Sequence, residues 1–338
     1  MIIVFINMML LISTFSPIAF AQTEFPNNHI EDLLTKGESL YNSSKFNEAN
    51  IYFDRALQIE PENVDALIDK CSVLFSIGQS NEANTYCDRA LQIEPENVDA
   101  LYNKCVMLIN MGKSNEANTY CDRLLQIEPE DVDLLVTKGS ILEILGKLED
   151  AITYYDRTLQ IEPENVDALT GMCVTLPGID KPNEALEYCD RALQIDPQNF
   201  NYLYNKGIIL FFIKEYAEAI RIYDKALKIE PNDITVMQSI GMALEKLGKY
   251  EEAIGFYDMA LKIDPNNADA LTNKGRALVF LGKTDEGISI TEKANDLLDV
   301  QNPFLNNLNS SEKFEQTLEL MNQRSPWCNC KIESYSPQ

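Results

Sequence analysis

The stretch from Ser80 to Asn97, SNEANTYCDRALQIEPEN, returns 34 residues later as SNEANTYCDRLLQIEPED, from Ser114 to Asp131. Its proline belongs to a series of seven prolines that stand 34 residues apart without any insertion: Pro61, Pro95, Pro129, Pro163, Pro197, Pro231 and Pro265. A fixed period of this length is typical of repeat proteins, in which each repeat is one supersecondary unit. The chain is therefore predicted to be an array of similar repeats.

Each repeat carries two blocks of apolar residues at helical spacing. In the repeat that ends near Pro95, Leu67, Leu74 and Ile77 form the first block, and the residues from Ala83 to Ile93 form the second. This spacing predicts two helices per repeat, and hence an all-α fold. The turn between the two helices is predicted where Gly, which adopts positive φ without strain, recurs: Gly78, Gly112, Gly146, Gly248 and Gly282.

These residues resemble the tetratricopeptide repeat family in the 34-residue period, the closing proline and the small residues where the two helices cross, such as Gly37 and Ala49. The resemblance covers residues 30–301 as eight repeats, of which the fifth is irregular and the eighth is degenerate. It implies a right-handed α-solenoid whose first helices line a concave groove for peptides or protein surfaces. Residues 302–323 are expected to form a capping helix, because a solenoid needs its last open face covered.

The fifth repeat contains two prolines inside its predicted hairpin, Pro177 and Pro182. Proline cannot continue a helix, so the first helix of this repeat is expected to end near Leu176, a turn early.

The first 21 residues read as a signal peptide. An uncharged apolar run from Ile2 to Ile12, short for a membrane span, is followed by the small-x-small sequence Ala19-Phe20-Ala21. Residues 22–29 are then a linker. The expected location is extracellular or at the cell surface; the alternative is a membrane anchor formed by an uncleaved N-terminal segment.

The amino-acid composition argues against several classes of function. The chain has 338 residues and a formal charge of −25, so its surface repels phosphate backbones and nucleic acid is not an expected partner. The single histidine, His29, precedes the first repeat, which removes histidine-based metal cages and Ser-His-Asp triads from consideration. The repeats leave no room for a catalytic domain. No enzyme activity, catalytic residue, cofactor or metal site is expected.

Six cysteines occupy two repeat positions in the same three repeats. The position 24 residues before the proline holds Gly in the other repeats that keep the proline, and the position eight before it holds Phe or Tyr. The hairpin turn lies about midway, so the two positions face each other across the hairpin. In an exported protein this predicts disulfides between Cys71 and Cys87, Cys105 and Cys121, and Cys173 and Cys189. The alternative is three pairs of reduced thiols that pack as small hydrophobic residues.

The tail, residues 324–338, holds the other two cysteines, Cys328 and Cys330, beside the chain's single tryptophan. This Cys-x-Cys pair is compatible with redox activity or metal binding, and also with a structural disulfide. Two rival functions follow: a thiol-disulfide redox protein that acts through Cys328 and Cys330, and an acidic cell-surface structural protein that binds divalent cations.

Family geometry points to residues of the first helices as the groove. An acidic row stands in the first turn of these helices, and apolar residues follow on the same helices. The candidate partner-binding residues are Asp65, Phe75, Asp99, Tyr102, Ile109, Asp133, Asp167, Tyr204, Ile208, Phe211 and Phe212. An acidic rim over an apolar floor fits a protein or peptide with an apolar segment and basic flanks. The alternative is that the aromatic residues pack between neighbouring helices and that the acids serve the helix dipole and solubility.

Overall fold

A computed structural model describes residues 29–299, which form sixteen α-helices and one short 3-10 helix and contain no β-strand. The all-α fold expected from the sequence is therefore confirmed. The described residues belong to two compact units, which divide between Leu145 and Gly146. The predicted signal peptide, most of the linker, the capping helix and the cysteine tail lie outside the described residues.

The odd-numbered helices are the first helices of their repeats, and the even-numbered helices are the second. Compact unit 1 contains α1 (Ile30–Asn42), α2 (Phe46–Ile59), α3 (Val64–Ser76), α4 (Ser80–Ile93), α5 (Val98–Asn110), α6 (Ser114–Ile127) and α7 (Val132–Ile144). Compact unit 2 contains α8 (Leu148–Ile161), α9 (Val166–Thr175), α10 (Pro182–Ile195), α11 (Phe200–Phe212), α12 (Tyr216–Ile229), α13 (Ile234–Lys246), α14 (Tyr250–Ile263), α15 (Ala268–Phe280) and α16 (Thr284–Asp299).

Each first helix from α3 onward begins at a side-chain cap. Asn63 Oδ1 accepts a hydrogen bond from the backbone N–H of Ala66 at 3.0 Å, which satisfies a donor that the helix N-terminus otherwise leaves free. The same bond is made at the start of the six later first helices by Asn97, Asp131, Asn165, Asn199, Asp233 and Asn267. The Asn or Asp that follows each closing proline therefore sets where the next repeat begins.

The turn inside each hairpin passes through one residue with positive φ. Glycine supplies it at the five predicted positions. In the other three repeats Ser44, Asp180 and Lys214 take the same place, with φ of 59°, 60° and 68°. The packing of the helix pair therefore imposes this turn even where no glycine is present.

Glycine and an aromatic ring fill one gap inside several hairpins. A Cβ built on the glycine would overlap the ring in three pairs: Gly37 with Phe53, Gly207 with Tyr223, and Gly241 with Tyr257. All three rings are buried. The expectation that these two repeat positions face each other is thus confirmed.

A buried lysine links successive repeats in compact unit 1. Lys104 Nζ lies 2.6 Å from Asp88 Oδ1 and 2.6 Å from Asn84 Oδ1, both on the second helix of the preceding repeat. Lys70 and Lys138 bind the equivalent Asp and Asn side chains of their own preceding repeats. All three lysines are almost fully buried, so they are structural cations that the surface does not display.

The fifth repeat has the predicted early end. Helix α9 stops at Thr175, and a 3-10 helix, Leu176–Ile179, carries Pro177 and Gly178.

Among residues 29–299, no helix is both long enough and apolar enough to cross a membrane.

Candidate functional site

The first helices of compact unit 1 carry the predicted acidic row. Asp65 on α3, Asp99 on α5 and Asp133 on α7 are all exposed. Each lies in the first turn of its helix, where the partial positive charge of the helix N-terminus favours a carboxylate. These positions leave the carboxylates free to meet a partner.

The apolar candidates on the same helices differ in exposure. Tyr102 on α5 is 46% exposed, whereas Phe75 and Ile109 are half-buried and pack against core clusters of their unit. Ile144, at the end of α7, is 66% exposed and was missed by the sequence analysis. The sequence feature that could have identified Ile144 is its position nineteen residues before Pro163. Phe212 occupies the same repeat position two repeats later.

Hardly any positive charge balances this face. Helices α1, α3, α5 and α7 contain no arginine, and three of their four lysines are the buried ones that pair with Asp. Lys36 on α1 is the single exposed cation on these four helices. The exposed sides of α3, α5 and α7 therefore carry carboxylates without cations, and those of α5 and α7 also carry apolar side chains.

Asp69 on α3 is a second group that the sequence analysis missed. Its Oδ2 atom is buried and has no hydrogen-bond partner among the described residues. Burial, with the carboxylates of Glu38, Asp65 and Asp99, raises the pKa of Asp69 to about 7. Comparison of the repeats could have singled out this residue, since Asn103 holds the same position one repeat later.

In compact unit 2, Asp167 on α9 is exposed. The aromatic candidates on α11 differ from one another in packing and exposure. The Tyr204 ring stacks on Phe200 with centroids 6.2 Å apart and lies 6.0 Å from the Tyr223 ring. Ile208 and Phe211 are half-buried, and the Phe211 ring packs edge-on against Tyr216 at 5.3 Å.

Phe212, the last residue of α11, is 45% exposed. Of the candidates on this helix it alone combines an aromatic ring with a large free surface, because Tyr204 and Phe211 pack against neighbouring side chains and Ile208 is half-buried.

The first helices of the last two repeats hold an ion pair that the sequence analysis missed. Arg276 Nε on α15 lies 2.9 Å from Glu245 Oε2 on α13, and Arg276 also donates to Oε1 at 3.2 Å. Tyr257 Oη donates to the same Oε1 at 2.5 Å. The network satisfies its own charges and offers no free cation to a ligand. Phe280 at the end of α15 is 52% exposed, and its ring stacks on Tyr250 at 5.4 Å.

The six repeat cysteines lie in the three predicted pairs. The Cα atoms are 5.5 Å apart for Cys71 and Cys87, 5.8 Å for Cys105 and Cys121, and 5.2 Å for Cys173 and Cys189, and the sulfur atoms are within bonding distance. These separations suit disulfides. All six residues are buried. Their oxidation in the exported protein stays a prediction.

Cys328 and Cys330, on which the redox alternative depends, lie outside the described residues. Residues 29–299 contain no group of three His, Cys, Asp or Glu side chains placed to hold a metal ion.

Family models match most of the repeat region. Models described as Tetratricopeptide repeat match residues 200–233, 237–267 and 256–288, and a model described as Psidin, N-terminal TPR repeats region, matches residues 72–176. The matched residues make up more than half of the chain. The chain belongs to the tetratricopeptide repeat family. The match at 200–233 coincides with the sixth repeat of this tetratricopeptide repeat protein, from the start of α11 to the cap of α13.

Solved tetratricopeptide repeat structures share the fold. One, from Parabacteroides merdae, is 17% identical, with 74% of this chain and 98% of that chain covered and a TM-score of 0.57. The APC/C hetero-tetramer Cut9-Hcn1 is also 17% identical, with 89% of this chain and 58% of that chain covered and a TM-score of 0.53. Similarity at this level of identity shows the fold alone. No curated protein sequence matches the chain.

Proposed function

We propose that this tetratricopeptide repeat protein is a non-enzymatic scaffold that binds protein or peptide partners on the exposed sides of its first helices. The proposal rests on α3, α5 and α7, which expose carboxylates and no cation, and on the exposed apolar side chains of Tyr102 on α5 and Ile144 on α7. A rigid aromatic such as Tyr102 supplies a large contact area at a small entropic cost, which suits an anchor at an interface.

The charge of this face indicates the chemistry of the partner. Asp65, Asp99 and Asp133 stand at the start of their helices, and Tyr102 and Ile144 expose apolar surface on the same helices. Opposite charges steer association and select against partners of like charge. The proposed partner segment is therefore apolar with lysine or arginine flanks.

A peptide display library tests this proposal directly. Selection on the folded protein should enrich apolar sequences flanked by Lys or Arg.

The double substitution Asp99→Lys and Asp133→Lys should slow association and remove part of its salt dependence. Tyr102→Ala should weaken binding roughly tenfold or more, about 1.4 kcal/mol. The matched control is Ile51→Ala on the second helix α2, since Ile51 is 52% exposed and should leave affinity unchanged. Enrichment of acidic peptides, or equal effects of Tyr102→Ala and Ile51→Ala, would refute the proposal.

Phe212 tests the corresponding face in compact unit 2. Because it is half exposed, Phe212→Ala should lower the free energy of unfolding by less than about 1 kcal/mol, well under the 3–5 kcal/mol typical of a buried aromatic. Tyr204→Ala should cost more stability, since Tyr204 packs on Phe200 and Tyr223. If both substitutions cost the same, Phe212 is a core residue and the anchor role is wrong.

We also propose that the protein is exported, cleaved after Ala21, and oxidised at its six repeat cysteines. The apolar run and the Ala-x-Ala sequence support cleavage, and an oxidising compartment is where disulfides persist. N-terminal sequencing of the secreted protein should begin at Gln22. A sequence that begins at Met1 would favour the anchored alternative, and recovery in the cytosol would contradict export.

A further inference from the structure

The first helix of the fifth repeat is the shortest first helix among the described residues. Helix α9 has 10 residues, whereas each of the other seven first helices has 13. The chain then leaves the helix through Pro177 and Gly178. Helix α9 therefore depends on its neighbours more than the other first helices do.

The contact of α9 with the preceding repeat lacks the lysine link. Met172 stands at the lysine position, and the matching carboxylate, Asp156, accepts a hydrogen bond at 2.6 Å from Gln160 on its own helix. One repeat later Lys206 pairs with Asp190 in the usual way. The seventh repeat also lacks the lysine, at Ile240, but its first helix has the full 13 residues.

Helix α9 instead meets α8 through an apolar contact. Gly171 leaves room for the ring of Tyr155, which a Cβ on that glycine would overlap. An apolar contact of this kind is not directional, so it sets the position of α9 less specifically than a buried ion pair with its hydrogen bonds would, even where the two differ little in stability.

Cys173 and Cys189 supply the covalent link between α9 and α10. Cys173 lies two residues before the end of its helix, whereas Cys105 lies five residues before the end of α5. Repeat three has a full-length first helix and the Lys104 link to repeat two. The same kind of disulfide therefore ties down a weak helix in repeat five and a well-supported helix in repeat three.

We propose that the Cys173–Cys189 disulfide is a redox-controlled lock on α9, whose reduction opens α9 and Leu176–Ile179 while repeat three stays folded without its own disulfide. This rests on the proposed disulfides and on the proposed binding faces. A dithiol reductant supplies the electrons: its thiolate attacks one sulfur, a mixed disulfide forms, and the second thiol closes the reductant's own disulfide. The protein gains two electrons and two protons as two thiols.

Opening of α9 would displace Asp167 from the face that compact unit 2 offers to a partner. Because α9 is a lining helix, reduction should weaken binding to that face. Binding to the face of α3, α5 and α7 should not change, since those helices keep their lysine links.

Hydrogen exchange on the full-length chain tests the lock. In the variant Cys173→Ser and Cys189→Ser, amides of residues 166–179 should exchange at least about tenfold faster than in the parent protein. In the matched control, Cys105→Ser and Cys121→Ser, the acceleration for amides of residues 98–110 should be at least about tenfold smaller than the acceleration in α9.

A graft supplies the rescue. Five substitutions, Pro177→Ile, Gly178→Asn, Ile179→Met, Asp180→Gly and Pro182→Ser, give repeat five the turn sequence of repeat three. In the background without Cys173 and Cys189, the graft should restore slow exchange in α9. Equal acceleration in the two cysteine variants, or a graft without effect, would overturn the proposal.

Titration of the unmodified protein with dithiothreitol keeps the test decisive if a variant does not fold. Alkylation followed by mass spectrometry should label Cys173 and Cys189 at lower reductant than Cys105 and Cys121. The reverse order overturns the lock and leaves the disulfides in place. Labelling of all six cysteines before any reductant is added overturns the disulfides as well, but leaves peptide binding to α3, α5 and α7 as a separate question.

Discussion

Lys214 shows how the hairpin overrides a residue's own preference. With φ of 68°, it holds a backbone conformation that costs a side chain with a Cβ about 1 kcal/mol and costs glycine little. Lys214→Gly should therefore raise the free energy of unfolding by up to about 1 kcal/mol, in spite of the greater flexibility of glycine in the unfolded chain. Urea denaturation monitored by circular dichroism measures the change.

Gly248 provides the reciprocal control. It holds φ of 74° at the same repeat position, and nothing lies within 4 Å of a Cβ built on it. Gly248→Lys should destabilise by a similar amount through conformation alone. A stabilised Gly248→Lys variant would show that the turn is not strained.

Asp69 gives the stability of compact unit 1 a pH dependence. Its pKa is about 7 in the folded protein, above the ordinary value near 3.9 expected of the unfolded chain. Between these values the folded state binds more protons than the unfolded state, so stability falls as pH rises from about 4 to about 7 and is level above. Asp69→Asn should remove this slope and stabilise the protein at pH 8, on the order of 2 kcal/mol.

The repeats supply a reason to expect Asn to fit at position 69. One repeat later Asn103 Nδ2 donates to Ser72 Oγ at 2.9 Å, and the residue equivalent to Ser72 in the preceding repeat is Glu38. An amide at position 69 would thus have an acceptor. Thermal melts from pH 5 to pH 8 make the measurement, with the exposed Asp65→Asn as control; an unchanged slope in Asp69→Asn would contradict the assignment.

At the scale of helices, the two partners of the buried ion pair between repeats are expected to differ in the stability that is lost when each is removed. Removing the acid partner by Asp88→Ala leaves the Lys104 ammonium buried with Asn84 and the Tyr120 ring but no carboxylate, and should cost about 3 kcal/mol. Lys104→Met should cost less than about 1 kcal/mol, because Asp88 is 42% exposed and stays hydrated. Met172 opposite Asp156 is a natural example of this second arrangement.

The double variant Asp88→Ala and Lys104→Met completes a mutant cycle. It should be more stable than Asp88→Ala alone, since no uncompensated charge remains. Additive losses measured by urea denaturation would mean that the ion pair is not coupled.

At the scale of the whole molecule, the cysteine pairs predict a simple covalent map. Alkylation of the unfolded, non-reduced protein should modify no more than two cysteines, Cys328 and Cys330, because the six repeat cysteines are paired within their hairpins. Each pair closes a loop of 16 residues, worth roughly 3 kcal/mol in the chain-entropy estimate. A peptide that links Cys87 to Cys105, or six modified thiols, would contradict the map.

The two compact units present different chemistry on their first helices. Unit 1 shows Asp65, Asp99 and Asp133 beside Tyr102 and Ile144, whereas unit 2 shows Asp167, Phe212 and Phe280 and closes part of its face with the Glu245–Arg276 pair. A partner with both apolar and basic residues is therefore expected to depend on its basic residues mainly at unit 1.

Comparison of repeats within the sequence was enough to predict much of the fold. The prolines gave the repeat length, the apolar spacing gave the helix pairs, and the joint replacement of Gly and aromatic by two cysteines predicted which positions meet. The early end of α9 also followed from Pro177 alone. These features depend on contacts within one hairpin, where a short separation along the chain fixes the geometry.

The exposed residues of the first helices could be identified only from the tertiary structure. Tyr204 and Phe212 read alike as floor residues, but Phe200 and Tyr223 cover the first and leave the second half exposed. Lys104 reads as a surface cation until Asn84 and Asp88 of the preceding repeat enclose it. Asp69 likewise becomes an unusual acid only because burial, together with the carboxylates of Glu38 and Asp99 in the neighbouring repeats, raises its pKa.

By itself the sequence therefore determined the period, the helix pairs and the cysteine partners, because each of these follows from residues within one repeat. Only the tertiary structure decided which side chains remain free and which charges are buried. Exposure and electrostatic environment are sums over neighbours in adjacent repeats. The residues that a partner would meet are fixed by those neighbours as much as by their own identity.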